Sequence, residues 1–255
     1  MKIALISDIH ANLHALQAVW QDLELQRPDV VYCLGDLVGY GAYPNEIVEF
    51  IRARQIPTVL GNYDDGVGFD QDDCGCAYTD PAESMLGKRS LHWTRRQTTT
   101  ENKRFLQELP IQIRLEAGRP HLLLVHGSPR KINEYLYADR PPATFERIAR
   151  LAGTDVLFFG HTHLPYQKST AGTLFVNAGS VGKPKDGDPR AGYVLFSSGL
   201  RHRVEFRRLA YDVAAAARAV RQAGLPESFA LALETGGKTV LPDVAEIAQS
   251  QEASV

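Results

Sequence analysis

Short apolar runs alternate with amphipathic stretches along the first half of the chain. Residues 3–6 and 30–34 are apolar runs typical of strands buried on both faces. Residues 12–25 and 45–54 instead carry apolar side chains at helical spacing, and we expect Asn12 to cap the first of these helices. With a short third strand at residues 57–60, this alternation predicts parallel strands joined by right-handed crossovers.

The second half adds strands that pair with their neighbours in sequence. We predict helices at residues 81–96, 101–109, 143–151, 212–223 and 227–234, a buried strand at 155–159, and antiparallel pairs at 111–115 with 121–125, 166–169 with 173–176 and 192–196 with 203–209. The glycine- and aspartate-rich residues 65–80 are expected to form a loop. The polar stretch from residue 236 onward is expected to fray.

These elements predict an α/β fold with two sheets in one domain. We see no linker and no internal repeat, so we expect a single domain over residues 1–255. Its core would span about residues 1–209, and residues 210–255 would form a helical C-terminal appendage.

Composition narrows the class of protein. The 255 residues carry a formal net charge of −2, which gives no sign of a surface that coats nucleic acid, although it leaves a local basic groove open. No apolar run is long enough for a membrane span, and we see no secretory signal. Three cysteines argue against a disulfide framework and favour a reducing cytoplasm. The sequence sets no oligomeric state.

Polar residues follow the predicted strands at the points where the strands end. Asp8 and His10 are two positions apart after the first strand, so in extended backbone both would point the same way. The full set of strand-end residues is Asp8, His10, Asp36, Asn62, His126, His161 and His163. Open α/β sheets place their ligands at the carboxyl ends of strands, so these side chains are expected to meet.

The donors in this set are oxygens and imidazoles, with no thiolate. They suit Mn²⁺, Fe or Zn²⁺ better than a structural zinc site built on cysteine, and seven ligands suit two ions that share one carboxylate. We expect Mn²⁺, with Fe, Zn²⁺ or Ni²⁺ as alternatives. Two such ions polarise a phosphoryl group and acidify a water to hydroxide near neutral pH. We therefore expect metal-assisted hydrolysis of a phosphoester.

Taken singly, each of these residues has a simpler interpretation. His126 alone would be a structural histidine, and Asp36 alone a turn residue. Cys74 and Cys76 are expected to be free thiols without a metal role, and the acidic loop around them to be solvated. The metal hypothesis rests on the seven positions together.

The chain resembles the calcineurin-like metallophosphoesterases. The motifs stand in that family's order as Asp8-Ile9-His10, Gly35-Asp36, Gly61-Asn62, His126-Gly127 and Gly160-His161-Thr162-His163. The resemblance implies a four-layer αββα sandwich with two mixed β-sheets and a dinuclear centre at one edge. It also implies one metal on Asp8, His10 and His163, a second on Asn62, His126 and His161, and Asp36 as the bridge.

Further details resemble the small prokaryotic phosphodiesterase-type branch. Residues 8–13, 39–46 and 177–182 carry this likeness. The family resemblance implies that Asn62 also contacts the substrate phosphate, and we expect Asn12 to contact the substrate. Tyr63 departs from the family pattern, because many of these phosphatases have a histidine there that protonates the leaving group. Tyr63 is either a proton donor or a packing residue, and the missing histidine favours activated or nucleotide-type diesters.

The leading hypothesis is thus a metal-dependent phosphodiesterase acting on a nucleotide or another small phosphodiester. A phosphomonoesterase or protein phosphatase is the nearest alternative, and a non-catalytic interaction scaffold is a third. The basic residues Arg130, Lys131, Lys183, Lys185 and Arg190 could hold a further phosphate or a nucleic-acid backbone, or could simply be solvated.

Overall fold

The computed structural model describes residues 1–78, 80–199 and 202–238. The strands are β1 (Lys2–Ile6), β2 (Val30–Cys33), β3 (Gln112–Leu115), β4 (Leu122–Val125), β5 (Val156–Phe159), β6 (Tyr166–Thr170), β7 (Thr173–Asn177), β8 (Ala191–Ser197) and β9 (Arg203–Leu209). The helices are α1 (Leu13–Gln26), α2 (Pro44–Ala53), α3 (Asn62–Gly68), α4 (Pro81–Gln97), α5 (Thr100–Gln107), α6 (Pro142–Ala152), α7 (Val213–Gln222) and α8 (Glu227–Thr235).

Both sheets are mixed. The four-stranded sheet has the order β2-β1-β8-β9, with β1 parallel to β2 and antiparallel to β8. The five-stranded sheet has the order β3-β4-β5-β7-β6, with β4, β5 and β7 parallel and an antiparallel strand at each edge. The predicted antiparallel pairs are confirmed.

Apolar side chains from the two sheets pack against each other. Ile3, Leu5 and Phe196 of the four-stranded sheet share one buried cluster with Leu124 and Phe158 of the five-stranded sheet. Two further clusters lie on the outer faces, one under the helices beside β1 and one between α6 and the five-stranded sheet. The four-layer αββα sandwich is therefore confirmed, and the continuous apolar runs are explained by strands that are covered on both faces.

Two local predictions are wrong. The expected third strand at residues 57–60 is reduced to one β-bridge, in which Thr58 pairs with Cys33, the last residue of β2. The chain then turns into α3, which occupies residues 62–68 of a stretch predicted to be a strand end and a loop. Helix α3 begins where the Asp64 side chain accepts the Gly61 N–H at 3.1 Å. Residues 69–78 are irregular, as predicted.

The two C-terminal helices pack against the rest of the fold. Ala217 and Val220 of α7 and Phe229 of α8 share a buried cluster with Leu86 of α4. Asp212 caps α7 by accepting the Ala215 N–H at 2.8 Å. This packing supports the single-domain expectation, which stays a prediction, and most of the stretch expected to fray lies outside the described residues. No helix in the described ranges is long and apolar enough to cross a membrane.

Candidate metal centre

The strand-end residues converge between the two sheets. Asp8 and Asp36 follow β1 and β2 of one sheet, and His126 and His161 follow β4 and β5 of the other. His10 and His163 lie two residues beyond Asp8 and His161 in the same loops, and Asn62 is the first residue of α3. All seven side chains are buried. The expectation that the carboxyl ends of the strands bring these residues together is met.

One group of donors consists of Asp8, His10 and His163. The Nε2 atoms of His10 and His163 are 3.2 Å apart, and His163 Nε2 is 3.2 Å from Asp8 Oδ1. A second group consists of Asp36, His126 and His161, and Asn62 Oδ1 lies 3.1 Å from His126 Nε2. Within each three-residue group the ligand atoms are all within 4.8 Å of one another. The spacing matches two adjacent metal sites.

Asp36 lies between the two groups. Its Oδ2 is 3.6 Å from His10 Nε2 and 3.4 Å from His126 Nε2. The other oxygen, Oδ1, accepts the Tyr63 N–H at 2.9 Å. Asp64 accepts the backbone N–H groups of Asp36 and Leu37, both at 2.8 Å, and so fixes the loop that carries Asp36. The carboxylate is held in the position that a bridging ligand needs.

The loops that carry the donors have left-handed backbone. The φ angles are 52° at Asp8, 49° at His10, 55° at Asp36, 64° at His161 and 61° at His163. Left-handed backbone is uncommon outside glycine, and it concentrates at functional sites. Each strand ends abruptly because its loop reverses here, which turns the side chain toward the centre.

Backbone carbonyls orient the imidazoles. The Nδ1–H of His10 donates to Val38 O at 3.0 Å, that of His126 donates to Leu34 O at 2.7 Å, and that of His163 donates to Lys183 O. Each ring therefore turns its Nε2 toward the centre, as metal-bound histidines do. Asn62 is oriented in the same way, since its Nδ2 donates to Cys74 O at 3.0 Å and to Cys76 Sγ at 3.3 Å. Its Oδ1 then faces the donors.

Burial and charge set the protonation of the histidines. Burial lowers the pKa of His10 to about 3 and holds the pKa values of His161 and His163 well below the usual range. Burial acts in the same direction on His126, but the Asp36 carboxylate overcomes it and raises the pKa of His126 to about 10. Three imidazoles are thus neutral and ready to bind a metal, whereas His126 carries a proton that a metal would displace.

The arrangement fits two divalent cations. His10 and His163 donate through Nδ1, so both Nε2 atoms are lone-pair acceptors that face each other and Asp8 Oδ1. Asp8 Oδ1 and His161 Nε2 are buried without a hydrogen-bond partner. Buried polar atoms are almost always paired, so converging acceptors without a donor call for a cation. Oxygen and imidazole donors suit Mn²⁺, Fe or Zn²⁺, but the geometry does not select among them.

Comparison with known proteins agrees with this geometry. Residues 1–198 match the sequence profile of the calcineurin-like phosphoesterase superfamily domain. The chain belongs to this superfamily. It is therefore a metal-dependent phosphoric ester hydrolase with two candidate metal sites.

Relatives and solved structures extend the match. An uncharacterized protein of Methanocaldococcus jannaschii is 35% identical over 243 residues, which are 88% of this chain and 94% of that protein. Phosphodiesterase YfcE of Escherichia coli is 27% identical over 204 residues, 74% of this chain and 84% of its own. The crystal structure of a metallophosphoesterase from Sphaerobacter thermophilus covers 92% of this chain and 99% of its own, at 34% identity and a TM-score of 0.75. The resemblance to the small phosphodiesterase-type branch is confirmed.

Tyr63 and Asn12 are close to the centre but engaged in structural contacts. Tyr63 is 1% exposed, its ring packs edge-on against His10, and its hydroxyl lies 3.4 Å from Gly87 O. Asn12 caps α1 by accepting the Ala15 N–H at 3.1 Å, and its Nδ2 donates to Gly182 O at 3.0 Å. The capping role of Asn12 is confirmed, whereas the catalytic role of Tyr63 and the substrate contact of Asn12 stay predictions.

The basic candidates divide into two sets. Arg130 pairs with Glu134, and Arg190 pairs with Asp188 at 2.7 Å. Lys183 and Lys185 instead line a cleft beside the metal centre. Cys74 and Cys76 are free thiols with their sulfurs 3.3 Å apart, and neither falls in a candidate metal group among the described residues.

Four tyrosines of this cleft were not predicted as site residues from the sequence. They are Tyr40, Tyr78, Tyr135 and Tyr137. The ring of Tyr135 contacts His161 with 4.1 Å between centroids, and that of Tyr40 is 5.0 Å from His10. Tyr135 and Tyr137 lie in the irregular segment between β4 and α6, where apolar periodicity gives no signal. Their spacing of two residues was the one clue.

Proposed function

We propose that the protein is a phosphodiesterase that hydrolyses a nucleotide or another small phosphodiester. Asp8, His10 and His163 would hold one divalent ion, Asn62, His126 and His161 a second, and Asp36 would bridge them. When bound, such ions supply charge to polarise the phosphoryl group and acidify water. Mn²⁺ is our proposed metal. The free cysteines favour a reducing compartment, so we propose a cytoplasmic location.

The position of Tyr63 carries the preference for diesters. The residue after Gly61-Asn62 offers a phenol rather than an imidazole, and burial holds the pKa of this phenol well above its ordinary value. Its hydroxyl faces Gly87 O and Tyr78 Oη, both at 3.4 Å. A leaving group that needs no protonation by the protein is then favoured. The phosphodiesterase among the relatives supports the same choice.

The residues of the chain have distinct tasks in this proposal. The carboxylates of Asp8 and Asp36 supply negative charge that neutralises the cations, and the neutral imidazoles complete the coordination. Asn62 would contact a substrate oxygen as well, by exchanging its Nδ2 hydrogen bond to Cys76 Sγ for one to that oxygen while the bond to Cys74 O holds the amide.

The test compares two esters with the same leaving group. We expect protein reconstituted with Mn²⁺ to hydrolyse bis(p-nitrophenyl) phosphate faster than p-nitrophenyl phosphate. Asp36→Asn should abolish both activities, because it removes the charge shared by the two metal sites. Asp155 lies just before β5, at the end of that strand away from the metal centre. Asp155→Asn is the matched control and should keep both activities.

Each other outcome has a clear meaning. Faster turnover of the monoester would assign the protein as a phosphomonoesterase and reject the diester preference. No metal-dependent turnover of either ester, with both metals bound, would reject catalysis and favour the scaffold.

A further inference from the structure

A deep cleft opens directly beside the metal centre. Its volume is about 610 Å³, within the usual range for small-molecule sites. Tyr135 forms one wall, and its ring contacts that of the candidate metal ligand His161. Tyr40 also lines the cleft, and its ring packs against that of His10. A group attached to a phosphate at the metal centre would therefore extend into this cleft.

The wall next to His161 is a pair of stacked tyrosines. The rings of Tyr135 and Tyr137 are 5.7 Å apart, with their planes inclined by 20°. Tyr137 is 36% exposed, while Leu136 between them is 1% exposed and anchors the segment in the core. Both rings line the cleft.

Hydrogen bonds from neighbouring residues hold the segment of the stacked pair in place. Tyr166 donates its hydroxyl to Leu136 O at 2.6 Å, and Lys168 Nζ donates to Ala138 O at 3.0 Å. Asn133 Nδ2 donates to Gly75 O at 2.5 Å and so joins the segment to the loop before α4. A rigid aromatic surface loses little entropy when a flat ring stacks on it.

The described lining of the cleft carries positive charge. In the part of the chain that the structure describes, Lys183, Lys185 and Arg140 line it together with the carboxylate of Glu83. Lys183 Nζ lies 4.2 Å from the ring centroid of Tyr40, between the cleft and the metal centre. An anionic ligand with a flat aromatic part matches both features.

We propose that this cleft binds the nucleoside part of the substrate, with its base stacked on Tyr135 and Tyr137. This inference rests on the proposed phosphodiesterase function and narrows its substrates to nucleotides. The lysines attract the anionic substrate, and the tyrosines distinguish a nucleotide from a sugar phosphate. Stacking tolerates any base, so the subsite selects the class of substrate rather than one base.

The first test measures what the base contributes. In the Mn²⁺-loaded protein we compare AMP with ribose 5-phosphate as inhibitors of bis(p-nitrophenyl) phosphate hydrolysis, using initial rates. AMP should bind about tenfold more tightly, since stacking on one aromatic side chain contributes about that factor. Tyr137→Ala should remove this advantage, and Tyr137→Phe should retain it.

The matched control is Phe206→Ala. Phe206 is 37% exposed, as exposed as Tyr137, but it lies in β9 outside the cleft. This variant should keep the tenfold advantage. Equal inhibition by AMP and ribose 5-phosphate in the wild-type protein, or an equal loss of both in Tyr137→Ala, would overturn the proposal.

A second readout does not depend on turnover. The fluorescence of 2-aminopurine riboside 5′-monophosphate falls when its base stacks on an aromatic ring. We expect quenching on addition of wild-type protein and of Tyr137→Phe, but not of Tyr137→Ala. Quenching without ester hydrolysis would reject the phosphodiesterase function alone, whereas hydrolysis without quenching would reject the nucleoside subsite alone.

Discussion

At the scale of single residues, the metal centre is defined by which atoms carry protons. His10 and His163 each direct their one N–H to a backbone carbonyl, so their Nε2 atoms meet as two lone pairs 3.2 Å apart. Both face the Asp8 carboxylate, and no donor in the described part of the chain bonds to its Oδ1. His126 differs, because its raised pKa keeps both nitrogens protonated at neutral pH. The two proposed metal sites should therefore respond differently to pH.

We predict that metal binding at pH 7 releases about one proton, supplied by His126. Its pKa of about 10 means that the proton must leave before Nε2 can bind a cation. Affinity for the second ion should rise roughly tenfold per pH unit from pH 7 upward, since one proton competes with the metal. Calorimetric titration with Mn²⁺ in buffers of different ionisation enthalpy counts the protons released.

The matched variants separate His126 from other sources of protons. His126→Gln should reduce the number of protons released by about one. His202 is an exposed histidine just before β9, and His202→Gln should leave the number of protons released unchanged. Equal proton release in His126→Gln and the wild-type protein would show that His126 is already neutral.

The buried position of Tyr63 predicts a packing role. Tyr63→Phe keeps the ring that packs on His10 and removes only a hydroxyl whose contacts are 3.4 Å long. We expect kcat to change by less than about threefold, whereas a general acid contributes about 10²–10⁴-fold. The measurement is kcat for diesters whose leaving groups differ in pKa. A loss that grows with leaving-group pKa would instead assign Tyr63 as the proton donor.

At the scale of elements, helix α3 connects two candidate metal ligands, Asn62 at its start and Asp36 in the neighbouring loop. The helix begins at Asn62, and its Asp64 accepts N–H groups from the Asp36 loop and from Gly61. The close approach requires a glycine at position 61, where a Cβ would lie 2.1 Å from Asp36 N and 2.3 Å from Asp36 Oδ1. Helix α3 therefore positions the Asp36 carboxylate as well as Asn62.

We predict that Gly61→Ala disturbs both stability and metal binding. The added methyl group can be accommodated only if the Asp36 loop moves, which should cost about 1–3 kcal/mol of unfolding free energy. Urea denaturation and metal content after dialysis measure the two effects. Gly68→Ala in the same helix is the control, since its Cβ would meet no atom closer than Leu106 Cβ at 3.2 Å. Wild-type metal content in Gly61→Ala would contradict the prediction.

The sequence predicted the strands of the site better than the helix. Residues 3–6 and 156–159 are apolar because both of their faces are covered, and this pattern is visible without a structure. Helix α3 has no such pattern: its seven residues include two glycines and two aspartates, and tertiary hydrogen bonds from Asp64 decide its conformation. Thr58 and Val59 are buried like strand residues, but only one bridge forms beside them.

The same limit applies to the site. The strand-end pattern singled out the seven residues that converge, and six of them do lie in loops that follow β1, β2, β4 and β5. Asn62 joins them from the start of α3 rather than from a strand end. The tyrosine cleft was not predicted, because it brings together the segment after β4, the loop before α4 and helix α8. Residues so far apart in sequence show no joint pattern in a single chain.

At the scale of the whole molecule, each proposed metal would connect the two sheets. Asp8 and His10 come from the four-stranded sheet, whereas His163 follows β5 of the other. Asp36 likewise faces His126 across the gap. The apolar core between the sheets provides the main attraction, and the metal ligands add a second connection at one edge.

We predict that metal binding raises the melting temperature. A ligand that binds only the folded state at 100 times its Kd contributes about 2.7 kcal/mol. For a chain of this length each kcal/mol raises Tm by about 2–4 °C. Thermal denaturation of metal-free protein at increasing Mn²⁺ concentration is the measurement. Asp36→Asn is expected to show a smaller increase, and an unchanged Tm in saturating Mn²⁺ would contradict the cross-sheet connection.

The left-handed backbone at the ligand positions also gives a way to interpret relatives that share this fold. Each non-glycine residue in left-handed backbone costs about 1–3 kcal/mol of folding free energy, and such residues persist where the function of the site requires them. Once a lineage no longer uses the centre, glycine or asparagine at positions 8, 10, 161 and 163 becomes the more stable choice. Substitution would then begin at these bends, while buried strand residues such as Leu5 and Phe158 stay apolar. A relative that has lost its activity would then be recognised by glycine or asparagine at these positions while its core residues are still unchanged.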